Sequence, residues 1–189
     1  MLTKQPLLLA LQTYLQRYPN DTHAQQTLDF VATTDNFWQN NNPHGHVTAS
    51  AWIVNTKKTK ALLTHHRKLG QWFQLGGHVE AHDTDIFAAA LREAHEESGL
   101  REITLLSTDI FDIDVHLIPT SKKGFPAHLH YDIRVLLGAN EDDALNFQAD
   151  ESNEVRWFAL SEISAFVRGE SVLRMKDKMD RFFLTGLQD

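Results

Sequence analysis

The 189-residue sequence predicts an α/β fold of the α+β kind, a mixed β-sheet sandwiched between helices with a further helical extension at the N-terminus. Three observations predict it. Apolar residues recur at helical spacing over roughly the first 33 positions and again near the C-terminus; the middle of the chain alternates apolar and polar residues with the period of strands; and one Ala- and Leu-rich segment free of Gly and Pro divides two such strand groups. A hydrophobic content of 42% and a charged content of 23% suit a folded chain, and 189 residues suit one domain rather than two.

Leu7, Leu8, Ala10, Leu11 and Leu15 outline a first helix, which "YPND" breaks. A second helix runs from about Thr22 to Thr33, with Ala24, Leu28, Phe30 and Val31 apolar. Residues 1–40 are expected to be a helical extension packed on a domain of residues 41–189, the two separated near the turn-forming "NNNPHGH". "HVTASAWIVN" and "TKALLTHH", joined by "TKK", read as a strand pair, and "RKLGQWFQLGG" as a loop with a short strand leading to Gly76 and Gly77. A helix is predicted from Thr84 to Ser98, with Gly99 as its C-terminal cap. "TDIFDIDVHLIP" and "HLHYDIRVLLGA" read as antiparallel strands around "TSKKGFPA", and "EVRWFAL" as a further strand. "SEISAFVRG", with Ser161 as N-cap, and "SVLRMKDKMDRFFLTGL" complete the chain as helices.

Composition excludes several function classes. With no cysteine there is no disulfide, thiolate zinc site or cysteine nucleophile, so any metal is held by oxygen or imidazole. A net charge of −7 without a basic patch argues against a DNA-backbone binder. No apolar stretch approaches the roughly 20 residues of a membrane span. The opening "MLTKQPLLLALQTYLQRYP" is interrupted by Gln12, Gln16 and Arg17 and lacks a cleavage pattern. A cytoplasmic protein with no membrane partner is expected.

The chemistry concentrates in "GGHVEAHDTDIFAAALREAHEESGL", residues 76–100. On a helix Glu93, Glu96 and Glu97 project from one face and repel one another. They also stand at the helix C-terminal end, where the macrodipole disfavours each exposed negative charge by about 0.3–1 kcal/mol. A solvated acidic face is the commoner origin of such a cluster. Mg²⁺ or Mn²⁺, hard cations that prefer carboxylate oxygens, would offset both costs.

Taken together, Gly76-Gly77, Asp83 and "REAHEESGL" resemble the signature of the Nudix hydrolases: Gly, five residues, Glu, seven residues, then Arg-Glu-apolar-any-Glu-Glu-any-Gly-apolar. The second half is matched at Arg92, Glu93, Glu96, Glu97, Gly99 and Leu100. Its five single-residue matches are a chance event of order one in a million per window. Two departures stand out. One extra residue lies between Gly77 and Arg92, which puts Thr84 at the glutamate slot, and Asp83 is read as the displaced equivalent, pairing with Arg92 to hold the loop against the helix. Gly77, Asp83 and Gly99 are the structural supports of this box.

The resemblance covers roughly residues 46–165 and implies hydrolysis of a diphosphate in a nucleoside diphosphate linked to another moiety. It implies Glu97 and Glu96 as metal ligands with the Gly76 carbonyl, Glu93 as a further ligand or as the general base, and Arg92 as the orienting catalytic residue. In some members of the family the base comes from a late loop, which makes Glu151 and Glu154 alternatives; exposed acids beside a strand are the plainer reading of both.

The paired histidines offer other donors. Residues i and i+2 share a strand face, so His44 with His46, or His128 with His130, could ligate a metal, although strand histidines are more often surface or hydrogen-bonded core residues. His78 is the histidine best placed to meet a small-molecule diphosphate substrate. Lys68, in "HHRK", could meet its phosphates, and Trp72 or Phe73 could stack on a base, core packing being expected of at least one of them. Two other functions compete: a metal enzyme like isopentenyl diphosphate isomerase, whose pattern needs a cysteine that this chain lacks, and a non-catalytic nucleotide-binding module on the same scaffold, against which the intact glutamates argue. For the N-terminal helices three roles stay open: capping the sheet, shaping the pocket or forming a homodimer.

Overall fold

The computed structural model describes residues 3–122, 124–147 and 152–184. They form an eight-stranded mixed sheet with helices on both faces. Its centre is β1 (Gly45–Asn55), buried along its whole length. β1 runs parallel to β7 (His128–Ala139), with His46 opposite His130 and Trp52 opposite Leu136. On its other side β1 pairs antiparallel with β2 (Lys60–His66) and with β4 (Leu75–His78). The far side of β7 carries β5 (Ile103–Leu105) and β6 (Asp112–Ile118), and β2 carries β3 (Gln71–Phe73) and β8 (Ser152–Ala159).

Alternation along β1 sorts its residues between two cores. Val47, Ala49, Ala51 and Ile53 face one core, which they share with α1 (Lys4–Arg17), α2 (Thr22–Thr33) and α3 (Ile86–Ser98). Trp52 and Val54 face the other, against α4 (Ile163–Phe166) and α5 (Glu170–Leu184). Leu7, Leu11, Tyr14, Ala24 and Val31 of the N-terminal helices are buried in the first core, and Phe30 stacks on Tyr131 at 4.1 Å.

Several local expectations are corrected. Gly76 and Gly77 lie inside a strand of their own, β4, paired with Ser50 and Ala49 of β1, rather than following one short strand. α3 begins at Ile86, because the Asp85 carboxylate accepts the Ala88 N–H at 2.9 Å and so satisfies an otherwise unpaired helix-end donor. Ser161 does not cap α4: the cap position is Glu162, whose backbone is already helical, and no side chain caps it. β5 went unforeseen because its three residues carry too short a period to register.

A buried polar seam crosses the second face beside α5. Arg134, 1% exposed, donates to Asp132 at 2.9 Å, to Asp112 at 2.9 Å and to the carbonyl and hydroxyl of Ser171. Arg174 of α5 reaches Asp112 and Asp114 at 2.9 Å, and Lys178 hydrogen-bonds Tyr14 of α1 and pairs with Asp112. Among the described residues no helix is long and apolar enough to cross a membrane.

Candidate active site

The acidic helix α3 lies across β4. Its C-terminal Gly99 adopts the left-handed conformation, φ 69°, and its N–H bonds the His95 carbonyl, which ends the helix directly after the glutamates. Glu97 turns inward and accepts the Gly76 N–H at 2.8 Å. A Cβ at Gly77 would come within 2.8 Å of the Glu93 carboxyl group, so only glycine lets the strand approach that side chain. Glu96, at 50% exposure of its side chain, is the outermost of the three.

Arg92 holds this arrangement together. Its Nε and Nη2 donate to the two oxygens of Asp83 at 3.1 and 3.0 Å, a bidentate pair, and Nη2 also donates to the His78 carbonyl at 2.8 Å. Nη1 donates to Glu93 at 3.0 Å and to Glu96 at 3.1 Å. One guanidinium therefore fastens the loop after β4 to the helix and screens two of the three carboxylates from each other. Asp83 is 3% exposed and also accepts the Glu80 N–H at 2.7 Å. Burial pushes the Asp83 carboxyl up, but the Arg92 hydrogen bonds and the Glu80 N–H outweigh it and hold the pKa below the usual range. The hydrogen bond to Asp83 raises the pKa of Arg92, which stays protonated.

The remaining candidates are scattered. Lys68 is exposed in the turn after β2, its backbone N–H donating to His66 Nδ1. Trp72 packs on the second core, its ring covered by Arg156 at 5.1 Å and met edge-on by Phe158 at 4.7 Å and His65 at 5.0 Å. Phe73 packs on the same core. Glu154 lies exposed on β8 with Arg156 at 3.5 Å, and Glu151 falls outside the described residues. An open polar cleft of about 380 Å³, lined by Trp38, Asn40 and Glu80 among others, flanks the loop that leaves β4.

The histidines group differently from their spacing in the chain. His44 is exposed and apart, whereas His46 of β1 meets His130 of β7 and His78 of β4. Of the two pairs expected along one strand, His128 and His130 do lie together, rings 5.3 Å apart, while the tightest set crosses strands, a matter of register that no local pattern reveals. The seam around Arg134 was missed for the same reason, although the i, i+2 pattern of Asp112 with Asp114 and of Asp132 with Arg134 was a usable signal for charge on one strand face.

Comparison with known proteins shows the family and the fold. The NUDIX domain model matches residues 44–182. Among solved structures, a NUDIX-family hydrolase from Clostridium perfringens is 22% identical, with a TM-score of 0.53, covering 72% of this chain and 97% of its own. The Caenorhabditis elegans Ap4A hydrolase in a binary complex is 19% identical, with a TM-score of 0.56, covering 74% of this chain and 98% of its own. The MutT protein of Methanosarcina mazei Go1 is 19% identical, with a TM-score of 0.54, covering 73% and 94%. These likenesses show a shared fold. No curated protein sequence matches the chain significantly. With its family model spanning most of its length, the chain belongs to the NUDIX domain family of pyrophosphohydrolases, which cleave pyrophosphate bonds in nucleoside diphosphate derivatives and generally use divalent metal ions.

Proposed function

We propose that this chain hydrolyses the diphosphate bond of a nucleoside diphosphate linked to another moiety, with Mg²⁺ or Mn²⁺ held by Glu93, Glu96, Glu97 and the Gly76 carbonyl. The observation that carries the reading is the set of three carboxylates gathered on one face of α3 over the glycines of β4, with the single guanidinium of Arg92 among them. The donor set fits such ions, which take oxygen ligands and keep several waters. When bound, the ion supplies neutralisation of the diphosphate oxygens and activation of water.

The chain's own residues do the rest. Glu97 is fixed against β4 by the Gly76 N–H, which orients its carboxylate as a ligand. Glu93, wedged against Gly77, serves as a further ligand or takes the proton of the attacking water. Arg92 is a positioning residue that sets both carboxylates through its hold on Asp83 and the His78 carbonyl. His78, at the end of β4, and the cleft beside Glu80 are the proposed substrate side, with Lys68 and Trp72 as outer candidates and Glu154 and Glu151 as alternative bases. The enzyme is assigned to the cytoplasm, which its cysteine-free composition suits, and acts on a small molecule.

The test is a panel of nucleoside diphosphate derivatives assayed with Mg²⁺ or Mn²⁺ for product release. Glu97→Gln keeps an acceptor for the Gly76 N–H and removes the charge, so the variant should fold normally and lose activity by about a hundredfold or more. Tight binding of one derivative without turnover would instead favour a binding module. Double-bond migration in isopentenyl diphosphate without phosphate release would favour the isomerase chemistry.

A further inference from the structure

The second face of the sheet carries a group of imidazoles, of which the proposed hydrolase chemistry uses none but His78. His46 and His130 face each other across the β1–β7 pair, His116 faces His130 across β6–β7, and His78 sits opposite Thr48, two residues along β1 from His46. Strand alternation puts them all on the face of Trp52, opposite the one on which α3 packs. The His46 ring lies 4.5 Å from that of His130, 5.0 Å from that of His78 and 5.2 Å from that of His128.

His46 is 1% exposed, and neither of its ring nitrogens has a hydrogen-bond partner among the described residues. A buried polar group without a partner is costly, and a ring with both nitrogens orphaned is aimed at something. One nitrogen each from His46, His78 and His130 lie within 4.8 Å of one another. A tetrahedral ion with Zn–N bonds of about 2.1 Å sets its donors about 3.4 Å apart. Small ring rotations close that difference, and His78, at the exposed rim, has room to make one.

From this geometry we infer a second metal site, in which His46, His78 and His130 bind one borderline divalent cation such as Zn²⁺ with a coordination position left open.

The surroundings match what such an ion requires. Imidazole binds as the neutral ring, and suits Zn²⁺ and its transition-metal neighbours rather than Mg²⁺. Burial among the neighbouring rings disfavours the charged form of His46 and of His130. The outer rings are oriented by acceptors: His128 Nδ1 donates to the Pro126 carbonyl at 2.9 Å and His116 Nδ1 donates to Asp114 at 3.1 Å. The donors contain no carboxylate, which separates the site chemically from the glutamates of α3. His78 touches both, its ring in the cluster and its carbonyl on Arg92.

The test uses the full chain, stripped with chelator and held in excess Mg²⁺ so that the glutamates are filled. Zn²⁺ is then added, free ion is removed by gel filtration, and retained zinc is counted; Co²⁺ serves in parallel as a visible-absorption probe. We expect one retained zinc per chain, Co²⁺ d–d bands that Zn²⁺ abolishes, and loss of both in His46→Ala and His130→Gln but not in Glu97→Gln or His44→Ala. Since the buried substitutions can unfold the protein, side-chain ¹⁵N spectra of wild type with and without Zn²⁺ provide a check free of variants, in which the signals of three imidazoles should move. No retained zinc, or zinc lost in Glu97→Gln and kept in His46→Ala, would overturn the site. Neither result bears on whether the diphosphate assay succeeds with Mg²⁺ alone.

Discussion

At the scale of single residues, Asp83 shows how a departure from a family pattern is absorbed. An aspartate is one methylene shorter than the usual glutamate and sits one position from the regular spacing, yet its two oxygens meet Arg92 at 3.1 and 3.0 Å. The shorter acid works because it is buried directly beside the guanidinium and anchored by the Glu80 N–H. Asp83→Asn keeps the shape but removes the charge and one acceptor. A hydrogen bond to a charged group contributes about 1.5–3 kcal/mol, and Asp83→Asn should destabilise the protein by that amount in urea unfolding. Released from Asp83, Arg92 would engage Glu93 and Glu96 more closely, so kcat should fall more than KM changes. A variant with wild-type kcat would show that the Arg92–Asp83 pair does not position the carboxylates. At this scale the sequence was most readable: Arg92, Glu93, Glu96 and Glu97 fall within six positions, and helical geometry alone brings them together.

At the scale of elements, legibility depended on whether a contact is local. Helix α2 follows from its spacing and the end of α3 from the Gly99 cap. The seam joining β6, β7 and α5 rests on pairs such as Asp112 with Arg134 and Arg174, which lie far apart in sequence and meet only through strand register. That seam makes a prediction about pH. Burial raises the Asp112 carboxyl, but Arg174, Arg134 and Lys178 outweigh it and hold the folded pKa below the ordinary value. With the folded pKa depressed, the stabilisation is complete above the unfolded value of about 3.9 and is lost as pH falls below it. Asp112→Asn leaves buried cations undercompensated and should cost about 3–5 kcal/mol at pH 7. The gap between variant and wild type should narrow below about pH 4, where Asp112 of the unfolded wild-type chain takes up a proton before the folded one does. Urea titrations from pH 3 to pH 7 check this; a gap that stays constant with pH would show that the Asp112 charge is not what holds the seam.

At the scale of the whole molecule, the question is whether residues 1–40 are an appendage. The family match begins only at residue 44, so the N-terminal helices lie outside it. Their side chains nevertheless sit inside the main core: Leu11 and Val31 are fully buried in the same cluster as Val47, Ala49, Ile113 and Ile133. Tyr14 also reaches Lys178 of α5, so α1 and the C-terminal helix hold each other across the edge of the sheet. Burying an aliphatic side chain of this size stabilises by about 1.5–3 kcal/mol, and Leu7, Leu11 and Val31 together approach the 5–15 kcal/mol that separates a typical folded domain from its unfolded state. Deletion of residues 1–40 should therefore leave a chain that binds a hydrophobic dye, loses its cooperative thermal transition and shows no diphosphate hydrolysis, although every residue of the glutamate site remains. A truncated protein that melts cooperatively within a few degrees of the full chain, with kcat intact, would make the helices a separable cover. The finer substitution Leu11→Ala, expected to cost about 2–5 kcal/mol while the full chain still folds, distinguishes a core role from mere shielding: only a core role lowers the stability of the whole protein in a single transition.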